Sequence, residues 1–289
     1  MRDEIVVGER GGRRLTYVAD DPVRPHIRTV VGPGSRTVTR DLTDGVPADS
    51  DDHVHHKGIW WGHRDVGGAD VWTEFDGHGR IGGIAAPEVS ADGDVTQLLH
   101  RTTWYRADSS AILDDTRTIR IHPVQADESQ AIDVESVIVA SDGSVLFSDT
   151  KEAGLVAVRV NPQLEERRGG RIELASGVVG ESDAWGRPAA WCDYSGVVDG
   201  VSLGVTIFDH PANPVAARWH VRDYGLMAVN PFGLRDFTGD PSVDGSLTIE
   251  LGESIRFRYR VLVHAGDATS GDVHGHFSRY LECTEVRAR

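Results

Sequence analysis

Lysine is almost absent from this 289-residue chain: Lys57 and Lys151 stand against 28 arginines. The bias fits GC-rich coding. Both lysines nevertheless fall in motif-dense stretches, where a compact ammonium that can lose its proton differs from a guanidinium. Cysteine is equally scarce. Cys192 and Cys283 exclude a disulfide framework and fit a reducing cytoplasm. No apolar run approaches the roughly 20 residues that span a bilayer. The opening Met-Arg-Asp-Glu-Ile-Val-Val-Gly-Glu-Arg has no apolar core of a signal peptide, so a cytoplasmic protein is expected. Positive charge is also short. A formal net charge of −15 excludes nucleic acid as a partner and disfavours anionic membranes, because phosphates need a basic face. A Gly-rich phosphate loop, a nucleophile elbow and a His-Glu-x-x-His motif are all missing, which leaves serine-based hydrolysis unsupported. A small neutral ligand fits best. Oligomeric state leaves no signature.

What the chain has is a period of two. In Ile255–Val263, Ile255, Phe257, Tyr259, Val261 and Val263 face one way, and Arg256, Arg258 and Arg260 the other, as in a strand with one buried face. Similar strands are predicted at Arg14–Ala19, His26–Val31, Asp94–Tyr105, Ile112–His122, Ile132–Ala140, Gly154–Val160, Val201–Phe208 and Ser246–Leu251. Asp-Gly turns at 92–93, 142–143, 199–200 and 244–245 punctuate them with hairpin chemistry. One helix is expected at about 270–285, where Val273, Phe277, Tyr280 and Leu281 make a stripe and Asp267 or Ser270 supplies the cap. The polar run Gln163–Arg171 reads as an exposed loop. The fold class is therefore all-β: a two-sheet antiparallel sandwich with a C-terminal helix, forming a single domain over residues 1–289.

Three stretches carry chemistry. Asp52–Trp72 holds four of the 13 histidines, His53, His55, His56 and His63, three of the seven tryptophans, Trp60, Trp61 and Trp72, and Lys57. Imidazoles and indoles need partners once buried, so the stretch reads as a site wall. The histidines suit hydroxyl binding or acid/base work. A divalent metal on His53, His55 and His63 is the alternative, although no cofactor is otherwise expected. Trp60 or Trp61 offers a flat face to a sugar ring.

The second stretch is Asp149–Gly154 leading into Leu155–Val160. Lys151 and Glu152 pair a cation with a candidate general base, or form a surface ion pair of little energetic value. Arg159, in an apolar strand, needs an anionic or oxygen-rich partner. The third runs through Asp209-His-Pro-Ala-Asn-Pro214 to Asn230-Pro-Phe-Gly233. Its prolines and glycines make rigid turns that fix His210, Asn213, Trp219, His220, Arg222, Asp223 and Asn230 as a candidate polyol surface, or as a loop held by its own hydrogen bonds.

Together these blocks, Asp52-His-Val-His-His-Lys-Gly-Ile-Trp-Trp-Gly-His63, Thr150-Lys-Glu-Ala-Gly154, Asp209–Pro214, Val221-Arg-Asp-Tyr-Gly225 and Asn230–Gly233, resemble the soluble "PmoA family". The family's name comes from a membrane methane monooxygenase, a function that a charged chain without membrane spans contradicts. The resemblance implies a place in sugar catabolism. A looser resemblance is to the galactose-mutarotase-like β-supersandwich, in which a sugar lies in a cleft on a broad sheet between a His acid and a Glu base. His210 matches the acid. Glu250 and Glu253 lack the context of the base, and Glu152 stands in for it.

The expectation is an intracellular protein that binds a neutral sugar or keto-sugar and acts as an acid/base epimerase, isomerase or lyase. The catalytic candidates are His55, His56, Lys151, Glu152 and His210. The binding candidates are Trp60, Trp61, His63, Arg159, Asn213, Trp219, His220, Arg222, Asp223 and Asn230. A sugar-binding module without turnover and a metal-dependent hydrolase or lyase are the alternatives.

Overall fold

The computed structural model describes residues 4–8, 14–40 and 53–287. Asp52, the first residue of the His-rich stretch, and the extreme N-terminus lie outside them. Among the described residues the strands form two large sheets and a two-stranded ribbon. The seven-stranded sheet runs Glu4–Gly8, Arg14–Val18, His26–Val30, Ile59–His63, Ala153–Arg159, Leu226–Asn230 and Arg218–Arg222. The nine-stranded sheet runs Arg171–Leu174, Trp191–Val198, Val201–Asp209, Ser254–Ala265, Gln130–Val139, Ala111–Ile121, Val95–Tyr105 and Arg80–Gly83, with Glu88–Asp92 also paired to Val95–Tyr105. Val145–Phe147 pairs with Leu247–Ile249 as the ribbon. Neighbouring strands are antiparallel throughout. The all-β antiparallel class expected from the period-two pattern is what the structure has.

One cluster of buried residues draws on both large sheets, with Ile59, Val156, Val158, Met227 and Val229 from the first and Leu113, Ile119, Ile132, Val205 and Val261 from the second. Alternation along each strand sends every second side chain to this core. The outer face of the nine-stranded sheet is covered by the C-terminal helix, Val273–Arg287, where Val273 and Tyr280 pack with Trp191, Phe208 and Leu262. The helix starts three residues later than expected. Its first turn is capped by Asp272, whose Oδ1 accepts from Gly275 N–H at 3.3 Å, while Asp267 and Ser270 bond each other in the turn before it. The Gln163–Arg171 run is also not simply exposed. It folds into two 3-10 turns with Leu164 and Glu165 buried.

The seven-stranded sheet depends on a close approach at Gly58. This residue sits at φ 56°, and a Cβ there would lie 2.2 Å from the carbonyl oxygen of Ile27 and 2.5 Å from that of Arg28. A side chain would meet backbone, which cannot swing aside, as well as left-handed strain. Gly58→Ala is expected to lower the unfolding free energy by at least about 2 kcal/mol in urea titration. A variant within about 0.5 kcal/mol of the parent would contradict this account of the strand junction.

Candidate functional site

The Ala153–Arg159 strand is buried along its whole length, although only one of its faces meets the second sheet. Its pairing with Ile59–His63 slips by one residue between Gly154 and Ala157. That bulge turns both Leu155 and Val156 to the core and leaves Gly154, Ala157 and Arg159 on the outer face. Across the sheet, Trp60, Ala157, Ala228 and His220 fall opposite one another, and so do Arg159, Leu226 and Arg222. Small residues in the middle leave room for a layer of indoles. Trp60 and Trp72 lie there fully buried, with ring centroids 5.4 Å apart, packed with Ala157, Leu226, Ala228 and Tyr224.

The His-rich stretch covers this layer. His56 stacks on Trp60 at 4.9 Å, His53 stacks on His56 at 4.8 Å, and Tyr224 stacks on His53 at 4.9 Å. His55 meets His56 edge-on at 4.4 Å, with Phe75 on its far side at 6.3 Å. Phe75 is 68% exposed, an apolar ring presented to solvent beside a histidine.

Lys151 and Glu152 form a hydrogen-bonded ion pair at the edge of the patch. Asn230 fixes their turn: its Nδ2 donates to the carbonyls of Thr150 and Lys151, both at 2.9 Å, and its Oδ1 accepts from Phe232 N–H. Partial burial raises the Glu152 carboxyl, but the Lys151 hydrogen bond and the nearby His220, Lys151 and Arg64 charges overcome it and hold the pKa below the usual glutamate value. Glu152 is therefore a carboxylate at neutral pH. Its charge in turn favours protonation of His55 and His220, yet burial dominates at both and pushes them down to about 3 and about 4. His56 is driven well below the ordinary value by burial and by the neighbouring His55 and Arg159. These imidazoles are neutral near pH 7.

The remaining charges are compensated inside the protein. Lys57 bridges Asp21 at 3.1 Å and Glu74 at 2.9 Å. Arg24 donates to the carbonyls of Trp72 and Thr73 at 2.6 and 3.0 Å. Arg159 lies between His56, Tyr224 and Glu165. The indole N–H groups of Trp60 and Trp72 are buried without a hydrogen-bond partner among the described residues, and the buried His220 ring faces the Lys151 backbone.

The structure thus gathers His55, His56, Trp60, Lys151, Glu152, Arg159, His220 and Asn230 on one face. It sends other candidates elsewhere. Trp61 points into the core, its ring 3.8 Å from the Arg117 guanidinium. Trp219 is also core, its indole donating to the carbonyl of Ala189. His63 is buried on the core face between Phe147 and Phe232, its Nδ1 accepting from Asp65 N–H, so it cannot join His53 and His55 around a metal. Among the described residues no three His, Cys, Asp or Glu side chains are arranged to hold a metal ion. His210 belongs to the opposite sheet, edge-on to Tyr280 of the C-terminal helix at 5.4 Å, and Asn213 ties that loop to Asp209 and to the backbone of Arg258. Arg222 shares the outer face with Arg159 and Leu226 but turns to Glu181, whose carboxylate also accepts from Asp223 N–H. Sequence reasoning did not single out Phe75, Arg24 or Glu165. An aromatic set in the polar turn Thr73-Glu-Phe-Asp-Gly77 was the available signal for the first.

The chain belongs to the family of unknown function DUF6807, whose model matches residues 4–278. That description attaches no activity and does not use the PmoA name suggested by the motifs. No curated protein matches the chain. Among solved structures it is similar to galactose 1-epimerase from Lactobacillus acidophilus NCFM, with 8% identity, 91% of this chain and 94% of that one covered, and a TM-score of 0.46. A galactose mutarotase related enzyme from Lactobacillus acidophilus shows 9% identity, 91% and 97% coverage, and a TM-score of 0.45. A polysaccharide lyase shows 14% identity over 90% of this chain and 33% of its own, with a TM-score of 0.37. Overlaps this loose carry no argument about chemistry, which rests on the residues themselves. No helix among the described residues is long and apolar enough to cross a membrane.

Neutral buried histidines link stability to acid. His26, His55, His63 and His220 have folded pKa values of about 4, 3, 3 and 4, each depressed chiefly by burial. An unfolded histidine titrates near 6.5. Between 6.5 and about 4 the unfolded chain therefore binds protons that the folded chain refuses, and stability falls as pH falls, by up to about 1.4 kcal/mol per pH unit per group. At His264 burial is outweighed by Asp193, which raises its pKa, so it acts the other way: its contribution is present below about 6.5 and is lost as pH rises through the raised value. Denaturant midpoints are expected to drop steadily from pH 6.5 to 4.5, and a flat profile would mean that these imidazoles take up protons freely in the folded state.

Proposed function

We propose that this is an intracellular carbohydrate-active protein. It seats a neutral sugar or keto-sugar on the outer face of the seven-stranded sheet and acts by acid/base chemistry as an epimerase, isomerase or lyase. The observation that carries the reading is the meeting of an ionised Glu152 paired to Lys151, a neutral His55 and an exposed Phe75 over a buried aromatic layer. The surrounding charges are internally matched, so the patch favours a ligand without net charge. An aromatic ring suits the apolar face of a sugar, and histidine and indole N–H groups suit its oxygens.

In this reading the Glu152 carboxylate takes the proton from a carbon beside the substrate carbonyl. Negative charge then grows on the carbonyl oxygen, where the Lys151 ammonium and a neutral imidazole N–H stabilise it. Return of the proton from Glu152 to the other face, after the planar intermediate has turned over, inverts the centre, and return to a neighbouring carbon isomerises it. Departure of a β-oxygen with its bonding electrons, taking up the proton that Glu152 has removed, completes an elimination. A second reading, binding without turnover, draws on the Lys151–Glu152 hydrogen bond, which occupies the carboxylate.

The test is a panel of neutral sugars and keto-sugars incubated with the protein in D2O and followed by NMR. One member is expected to exchange a carbon-bound proton or change configuration. Glu152→Gln should lower that rate at least about 100-fold while leaving the melting temperature nearly unchanged. Phe75→Ala should weaken affinity about three- to tenfold. Thermal stabilisation by a sugar with no exchange would select the binding module, and neither response from any member would overturn the carbohydrate reading.

A further inference from the structure

We infer that Arg159 is a positioning residue that locks His56 as its neutral Nε2–H tautomer, making His56 a hydrogen-bond donor to a ligand oxygen rather than a proton-transfer group. The contact is Arg159 Nη1 to His56 Nδ1 at 3.3 Å, between two buried side chains. A guanidinium has donors and no acceptor, so Nδ1 must present its lone pair. The single proton of the neutral ring is then on Nε2. The described residues offer that N–H no acceptor.

The surroundings keep the two groups in this relation. His56 is sandwiched between Trp60 and His53, which fixes the ring plane, and its backbone amide N–H donates to the His53 carbonyl at 2.9 Å. The guanidinium carbon of Arg159 lies 4.7 Å from the centre of the Tyr224 ring, and Nη2 faces Glu165 at 3.7 Å. Glu165 is held in place by Arg167 and Arg168 at 2.7 and 3.0 Å. The polar Glu165–Arg168 segment is thus an anchor that reaches the site through one arginine. Lysine would not reproduce it, since a planar fork satisfies carboxylate, ring face and imidazole together. This assignment also changes what Arg159 does: its charge is turned inward to a histidine and a glutamate, and the oxygen ligand is met by the histidine.

The acceptor's identity rests on the carbohydrate reading, whereas the tautomer does not, and the two are measured separately. Long-range proton–nitrogen correlation on the ligand-free protein should show His56 with an unprotonated Nδ1 and a protonated Nε2 from pH 5 to 8. The opposite tautomer, or a proton gained in that range, overturns the lock. Arg159→Met should mix the tautomers, and Arg159→Lys should restore the pattern only in part. With any panel sugar that binds the parent protein, His56→Gln, whose amide N–H approximates the Nε2 position, should keep affinity within about threefold. His56→Phe should lose about tenfold, the worth of one hydrogen bond. Unchanged affinity in His56→Phe overturns the donor assignment while the carbohydrate reading stands, and an absence of binding by every sugar to the parent protein overturns both.

Discussion

A strand buried on both faces must find cover on the side where no second sheet lies, and the Ala153–Arg159 strand imposes this demand here. One face meets the common core of the two sheets. The other is covered, among the described residues, by side chains from loops, chiefly the stretch rich in histidine and tryptophan together with Tyr224. The bulge after Gly154 decides which residues need that cover. Without the extra residue, Ala157 and Arg159 would swap faces with their neighbours, because a one-residue change of register inverts a strand. A guanidinium would then point into the hydrophobic core. Site and fold are consequences of the same irregularity in pairing.

Burial then fixes the electrostatics. Histidines stacked among aromatic rings resist protonation, so the patch holds several neutral N–H donors at a pH where free imidazole is partly charged. Charged groups persist only where a partner stands beside them, as Lys57 does between Asp21 and Glu74 and Glu152 beside Lys151. The division of labour between neutral donors and one paired carboxylate follows from depth.

Strands with one wet face are the most readable from the sequence, as at Gln130–Val139, whose side chains alternate between buried and half-exposed, whereas Ala153–Arg159, buried on both faces, is marked by its continuous apolar run. Ile59–His63 and Leu226–Asn230 are buried on both faces and carry Gly, Trp, His or Asn, so no alternation marks them. The same limit governed the site. Density of unusual residues pointed to the His-rich stretch and to Lys151-Glu152, and local composition sufficed for that. Which indole is core and which is site, Trp61 or Trp60, depends on strand phase. The removal of His210 to the opposite sheet depends on pairing that no local pattern encodes.

The outer face of the sheet is paved at Gly62, Gly154, Ala157 and Ala228 with the smallest side chains available. At Gly62 a methyl would sit 2.5 Å from the Val71 carbonyl oxygen, and at Gly154 it would press on Trp72 at 3.2 Å. Such a pavement has almost nothing left to subtract. Nearly every mutation there adds volume and lifts the aromatic layer outward, so variation at these positions has one direction open to it. The geometry of the patch is free to drift in its rim, at residues such as Phe75, while its foundation is held by the absence of anything smaller.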